Sequence, residues 1–160
     1  MSSRFDSDIK AALYCRYGKI NDLNKSIEIW ERILSDPDFI NEDRELRLTV
    51  LNDSAETYLL RYGTNFGDLN NLNRLISLQE RAVDMAKAAH SSQLPIYLNN
   101  LGDSLKLFYD KRHDISFLKR AVEAYQEAVD LSNKNSPNFH IYLNNLKAAQ
   151  ELFLNLHSPV

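Results

Sequence analysis

The chain has 160 residues, 44% apolar and 26% charged, with a net charge of −3, a composition that suits one globular domain with a core of useful size. Only four glycines and four prolines occur, against about 12% in average usage, which argues against a sandwich or barrel needing a turn every ~8–12 residues and against Gly-rich phosphate loops. The mixed signs of charge lack the basic stripe of a nucleic-acid binder, and the single Cys15 excludes an internal disulfide and points to a reducing compartment.

Spacing of apolar residues predicts seven helices, over 4–17, 22–35, 43–62, 69–90, 94–110, 115–132 and 137–156. The N-terminal stretch Met1 to Lys10 is polar and carries charges of both signs, so no signal peptide is expected. No apolar run is long enough to span a membrane; a cytoplasmic location is the expectation. Gly18 and Gly63 stand where the first and third helices should end, and a left-handed residue there is cheapest as Gly. Asp22, Asp68 and Asp114 stand where the second, fourth and sixth should begin, each able to accept from free N–H groups of the first turn. Pro95 sits near the start of the fifth helix, and Ser136-Pro137 reads as N-cap and first residue of the seventh.

Two elements repeat. Ile96-Tyr97-Leu98-Asn99-Asn100-Leu101 returns unchanged, 45 residues on, as Ile141-Tyr142-Leu143-Asn144-Asn145-Leu146, with a weaker copy at Val50-Leu51-Asn52-Asp53. Asp68 to Met85 aligns without gaps on Asp114 to Leu131, with six of 18 pairs identical, and Arg16-Tyr17-Gly18 returns as Arg61-Tyr62-Gly63. In one element Leu98, Leu101, Leu105 and Phe108 share a helical face; in the other Leu118, Ala121, Val122, Tyr125, Ala128, Val129 and Leu131 form a stripe at 3–4 spacing. A unit of about 45 residues with two helices can hide its apolar faces only against its neighbours, which predicts an all-α solenoid. Three repeats, about 4–36, 43–90 and 94–132, would be followed by a capping helix over 137–156 in a single domain, 1–160. Lys147 and Gln150, where Gly102 and Leu105 stand one repeat earlier, supply the polar face an end helix needs.

The second helix of the unit, with Ala121, Tyr125 and Ala128 as small–aromatic–small positions, resembles helix B of a tetratricopeptide repeat. Leu98, Leu101-Gly102 and Leu105 resemble its helix A, where the small residue lets helix B approach. The Leu-Asn-Asn-Leu-Gly string is similar to long-repeat variants in fungal multidomain proteins, where such arrays accompany caspase-like protease or nucleotide-binding domains, and to the cargo-binding repeats of kinesin light chains. The resemblance implies a right-handed α-solenoid of antiparallel helix pairs, a scaffold for protein binding, with helices A lining a concave groove.

With Leu98, Leu101, Gly102 and Leu105 facing the core, Asn99 points away from helix B, and Asp103 and Lys106 follow it at i+4 and i+7. In such an array Asn52, Asn99 and Asn144 would form a ladder in the groove. Glu56, Asp103, Lys106 and Glu151 would flank it, and Leu60, Leu107 and Leu152 add apolar surface. Two roles are open to these amides: gripping the backbone of an extended peptide, or bridging adjacent helices A. Asn100 and Asn145 lie nearer the helix seam, where bridging is favoured. Without a Lys/Arg cluster the groove does not suit capture of a peptide C-terminus; a segment of mixed polarity fits better.

Catalysis finds no footing in the sequence. His90, His113, His140 and His157 fall at helix ends, connections or the tail, outside any His-Glu-x-x-His pattern. Cys15 lacks an adjacent base, and no Gly-x-Ser-x-Gly element occurs. The expectation is a non-enzymatic module with no cofactor and no metal, whose partner is a protein or peptide rather than nucleic acid or membrane. Self-association through the apolar residues of the last helix, or service as a regulatory part of an enzyme, are the alternatives.

Overall fold

The structure, a computed structural model, describes residues 3–64 and 68–156. Its regular elements are α1 (Asp6–Arg16), α2 (Ile20–Ser35), a 3-10 turn (Pro37–Asn41), α3 (Arg44–Gly63), α4 (Leu69–Ala88), α5 (Leu94–Arg112), α6 (Ile115–Leu131) and α7 (Phe139–Asn155). All seven expected helices form, with ends shifted by a few residues, and no strand occurs among the described residues. The 3-10 turn was not expected. Pro37 fixes its entry, and Asp36 accepts from the Asp38 N–H at 2.9 Å, so it closes locally without an amphipathic stripe.

The ends show which punctuation held. Asp68 and Asp114 cap α4 and α6, accepting from the N–H groups of Asn71 and Ser116 at 3.0 Å each. The Ser116 hydroxyl, at 2.7 Å, and then the Ser116 N–H hold the exposed Asp114 carboxyl below its ordinary range. Asp22 is not a cap. The helix starts two residues earlier, and Asp22 reaches back from its first turn to the Lys19 N–H at 3.1 Å, a position that also suits its charge to the helix dipole. Ser136 and Pro137 likewise precede α7, whose first residue is Phe139. The glycine expectation is corrected as well. No described glycine has positive φ; the left-handed residues are His90 (φ 50) and His113 (φ 54). At the end of α4 the Ser91 N–H bonds the Ala86 carbonyl at 3.0 Å and the His90 N–H that of Lys87 at 3.0 Å, the paired closure of a Schellman motif. Gly63 is instead the last helical residue of α3.

The chain divides into two compact units, residues 1–85 and 86–160, with the boundary inside α4. In the first, α1 packs on α2 and α2 on α3. Phe5, Ala12, Trp30, Ile33, Phe39 and Val50 form its core, with Ile9, Leu13, Ile29 and Leu34 against them. Two buried polar side chains there are paired across helices. Ser26 donates to the Ala12 carbonyl at 2.8 Å, and the Trp30 indole N–H donates to Thr57 Oγ1 at 2.9 Å.

In the second unit α5 and α6 form a hairpin, and α7 packs on α6. Gly102 and Tyr125 lie ten residues either side of the short connection after Arg112, so they meet only if the helices run antiparallel. They do meet: a Cβ on Gly102 would lie 2.6 Å from Tyr125 Cε1. The glycine is the notch that admits the ring, as the small residue of helix A was expected to be. Tyr142, Leu146 and Ala149 are the buried face of α7.

Candidate functional site

The expected groove residues stand on α3, α5 and α7. In the second unit two of them, Asn99 and Asp103, join a connected cluster. Tyr125, seated on Gly102, donates its hydroxyl to Asp103 Oδ1 at 2.7 Å. Asn99, one helical turn earlier, donates to Oδ2 at 3.2 Å. From α7, Asn145 donates to the Asn99 carbonyl oxygen at 3.0 Å and to Asp103 Oδ1 at 3.3 Å. One carboxylate thus gathers three neutral donors from three helices.

The electrostatics follow from that geometry. Asp103 keeps an exposed edge. Even so, burial of its carboxyl raises its pKa above the usual carboxylate range, against the lowering pull of the Tyr125 bond, the Lys106 charge and Asn99. Burial, and then the Asp103 bond and charge, push the Tyr125 phenol well above its ordinary range. The phenol therefore stays a donor and the network keeps one polarity.

Asn99 differs from the expected exposed ladder. It is 6% exposed, and its amide is held between Asp103 and Asn145. The reason is α7, which brings Asn145 against it from 46 residues away; Asn145 takes the bridging role expected at the seam. Asn144, next in sequence, is exposed, as is Glu151. Lys106 is half-buried and pairs with Asp110 at 2.9 Å, one turn on in α5.

In the first unit Asn52 is half-buried and Glu56 exposed. Glu56 and Asp53 are met by Arg16 of α1, at 2.9 and 3.3 Å. Arg16 is only 9% exposed. It also donates to the Tyr17 hydroxyl at 2.9 Å and lies over that ring at 4.8 Å. Burial raises the Asp53 carboxyl pKa, opposed first by the Arg16 charge. Arg16 was visible in the sequence only as part of a repeated Arg-Tyr-Gly string, with no sign of its partners.

The remaining candidates are scattered. His90 and His113 close helices, His140 is exposed on α7, and Cys15 is half-buried on α1; His157 lies outside the described residues. Among the described residues no three His, Cys, Asp or Glu side chains are grouped so as to hold a metal ion, and no helix is long and apolar enough to cross a membrane. A cavity of about 340 Å³ in the second unit is lined by Leu94, Pro95 and Leu131, with the Lys87–Glu127 ion pair at 2.8 Å beside it.

Fold and site together define an all-α protein with a hydrogen-bonded carboxylate cluster where helices α5, α6 and α7 meet. Comparison of the chain with protein-family models, with curated proteins and with solved structures gives no match.

Proposed function

We propose that the chain is a non-catalytic interaction module of tetratricopeptide-like helix pairs that binds a peptide or protein segment across the faces of its first helices. The observation that carries this reading is the Asp103 cluster. A carboxylate with an exposed edge is oriented by Tyr125, Asn99 and Asn145, and exposed Asn144 and Glu151 on α7 have no side-chain hydrogen bond among the described residues. Oriented acceptors beside a free amide suit the N–H groups and donor side chains of an extended segment. The acidic balance of Asp103 and Glu151 favours a segment rich in donors over one that ends in a free carboxylate.

The test is the affinity of a partner captured from native lysate, identified and titrated as a peptide. Asn144→Ala with Glu151→Ala, both exposed, should weaken binding at least several-fold while the helical circular dichroism is unchanged. Unaltered affinity would remove the groove from the reading.

A second reading rests on exposed apolar residues of α7 and its C-cap, Ile141, Leu154 and Leu156, which are 53%, 64% and 49% exposed. Apolar residues so placed favour self-association. Sedimentation showing a monomer over a wide concentration range would eliminate it.

A further inference from the structure

Helices α3 and α5 place an acid at the same register. Asn52, Ala55 and Glu56 of α3 correspond to Asn99, Gly102 and Asp103 of α5, 47 residues on. In the first unit the chain covers this acid itself. Arg16 of α1 donates to Glu56 Oε2 at 2.9 Å and to Asp53 Oδ1 at 3.3 Å. The counterpart of Asp53 on α5 is the neutral Asn100, so at this register of α5 the charge rests on Asp103.

Asp103 is hydrogen-bonded but not neutralised. Its donors, the Tyr125 hydroxyl and the Asn99 and Asn145 amides, carry no charge. Lys106 has its ammonium on Asp110 at 2.9 Å and acts on Asp103 only at longer range. Among the described residues Asp103 has no ion pair. Burial raises its pKa in spite of these neighbours, as expected of a charge short of compensation.

The free capacity is specific. A carboxylate offers about four lone-pair sites. Tyr125 and Asn145 both donate to Oδ1, and Asn99 donates to Oδ2, so one site stays open, on Oδ2. Asp103 is exposed and can be reached. A guanidinium fork makes parallel bonds to both oxygens, and Oδ1 has no site left for the second. An ammonium is a point charge that needs one site alone.

We propose, on the groove reading above, that Asp103 takes the ammonium group of a lysine side chain carried by the bound segment. The partner then supplies the cation that Arg16 supplies in the first unit. Tyr125, Asn99 and Asn145 hold the carboxylate in place beforehand, so little order is lost when the ammonium arrives.

The experiment titrates the full chain with three N-acetylated, C-amidated alanine peptides that differ only in a central lysine, arginine or norleucine. The side-chain amide resonances of Asn99 and Asn145, both bonded to Asp103, report binding by NMR. The lysine peptide should give saturable shifts and bind about tenfold or more tightly than the norleucine peptide, the gain of one charge-assisted bond. The arginine peptide should bind more weakly than the lysine peptide. Asp103→Asn, which keeps an oxygen for Tyr125, should abolish the advantage of lysine. Equal affinities for lysine and norleucine, silence from all three peptides, or a lysine advantage that survives Asp103→Asn overturns the site. Arginine binding as tightly as lysine overturns the single-point contact. The peptides compared on the unaltered chain decide the matter even if Asp103→Asn fails to fold. Asn144→Ala with Glu151→Ala tests the groove separately: equal lysine and norleucine affinities, with a partner still sensitive to that double variant, remove the lysine and leave the groove.

Discussion

Helices α3 and α5 carry the same Leu-Asn pair, yet their acidic edges are satisfied by opposite chemistry. In the first unit a cation from α1, Arg16, meets Asp53 and Glu56. In the second, the Asp103 carboxylate is met by a phenol from α6 and an amide from α7. An ionic contact draws charges together over a range of angles, whereas neutral donors must be aimed. The first arrangement tolerates adjustment; the second fixes how α7 sits on the α5/α6 hairpin. The notch differs as well: Gly102 admits the Tyr125 ring, while the corresponding position of α3 is the buried Ala55.

Breaking the ionic side should have the largest effect. Arg16→Met removes the cation paired with a partly buried Asp53. Losing one partner of a buried pair costs about 3–5 kcal/mol, and the solvent-facing Glu56 reduces this, so about 2–3 kcal/mol is expected in urea denaturation at neutral pH. A loss below about 1 kcal/mol would mean that Asp53 is solvated rather than paired.

Gly102→Ala comes next. Its methyl would meet the Tyr125 ring at 2.6 Å, and overpacking of this kind costs about 1–3 kcal/mol. The same change at Gly63 meets nothing within 4 Å and should stabilise by about 0.5–1 kcal/mol. Equal responses at the two sites would remove the notch from the comparison.

The third effect depends on pH. Burial raises the folded-state pKa of Asp103 above that of an ordinary aspartate, so the folded protein holds that proton more tightly than the unfolded chain. Its contribution is most favourable when protonated and declines as pH rises from about the ordinary value through the raised one. Denaturation midpoints measured across that window should fall less steeply in Asp103→Asn, which keeps an oxygen for Tyr125. An unchanged slope would place the titration elsewhere.

The smallest effect concerns the helix closures. His113→Gly relieves a left-handed side chain at φ 54 and should add up to about 1 kcal/mol, offset in part by the freedom glycine gains when unfolded. Thermal denaturation of this variant, with Gly63→Ala alongside, separates a φ effect from a helix-propensity effect.

Much of the fold was legible because it is local. Apolar spacing over Leu98–Phe108 or Leu118–Val129 reports a helix whatever lies around it, and Asp68 and Asp114 announce the helices they cap. The left-handed closures were misread because glycine has the lowest intrinsic cost there, while α4 and α5 run on to His90 and His113, where the chain must turn. The site was legible in residue type but not in exposure. Asn99 is buried by Asn145, and Glu56 is paired by Arg16 from 40 residues away; neither contact leaves a periodic trace. Helical spacing places these residues on one face, and the chain's own packing decides which of them stay exposed.

The indole of Trp30 gives the molecule a built-in reporter. It is the only tryptophan in the chain, fully buried and hydrogen-bonded to Thr57, and it lies wholly within the first unit. Its fluorescence records the docking of α2 on α3 and is blind to events among α5, α6 and α7. Circular dichroism sums all the helices. Melting curves from the two signals coincide if the units unfold together and separate if they do not, so cooperativity across the boundary in α4 can be read without introducing a label.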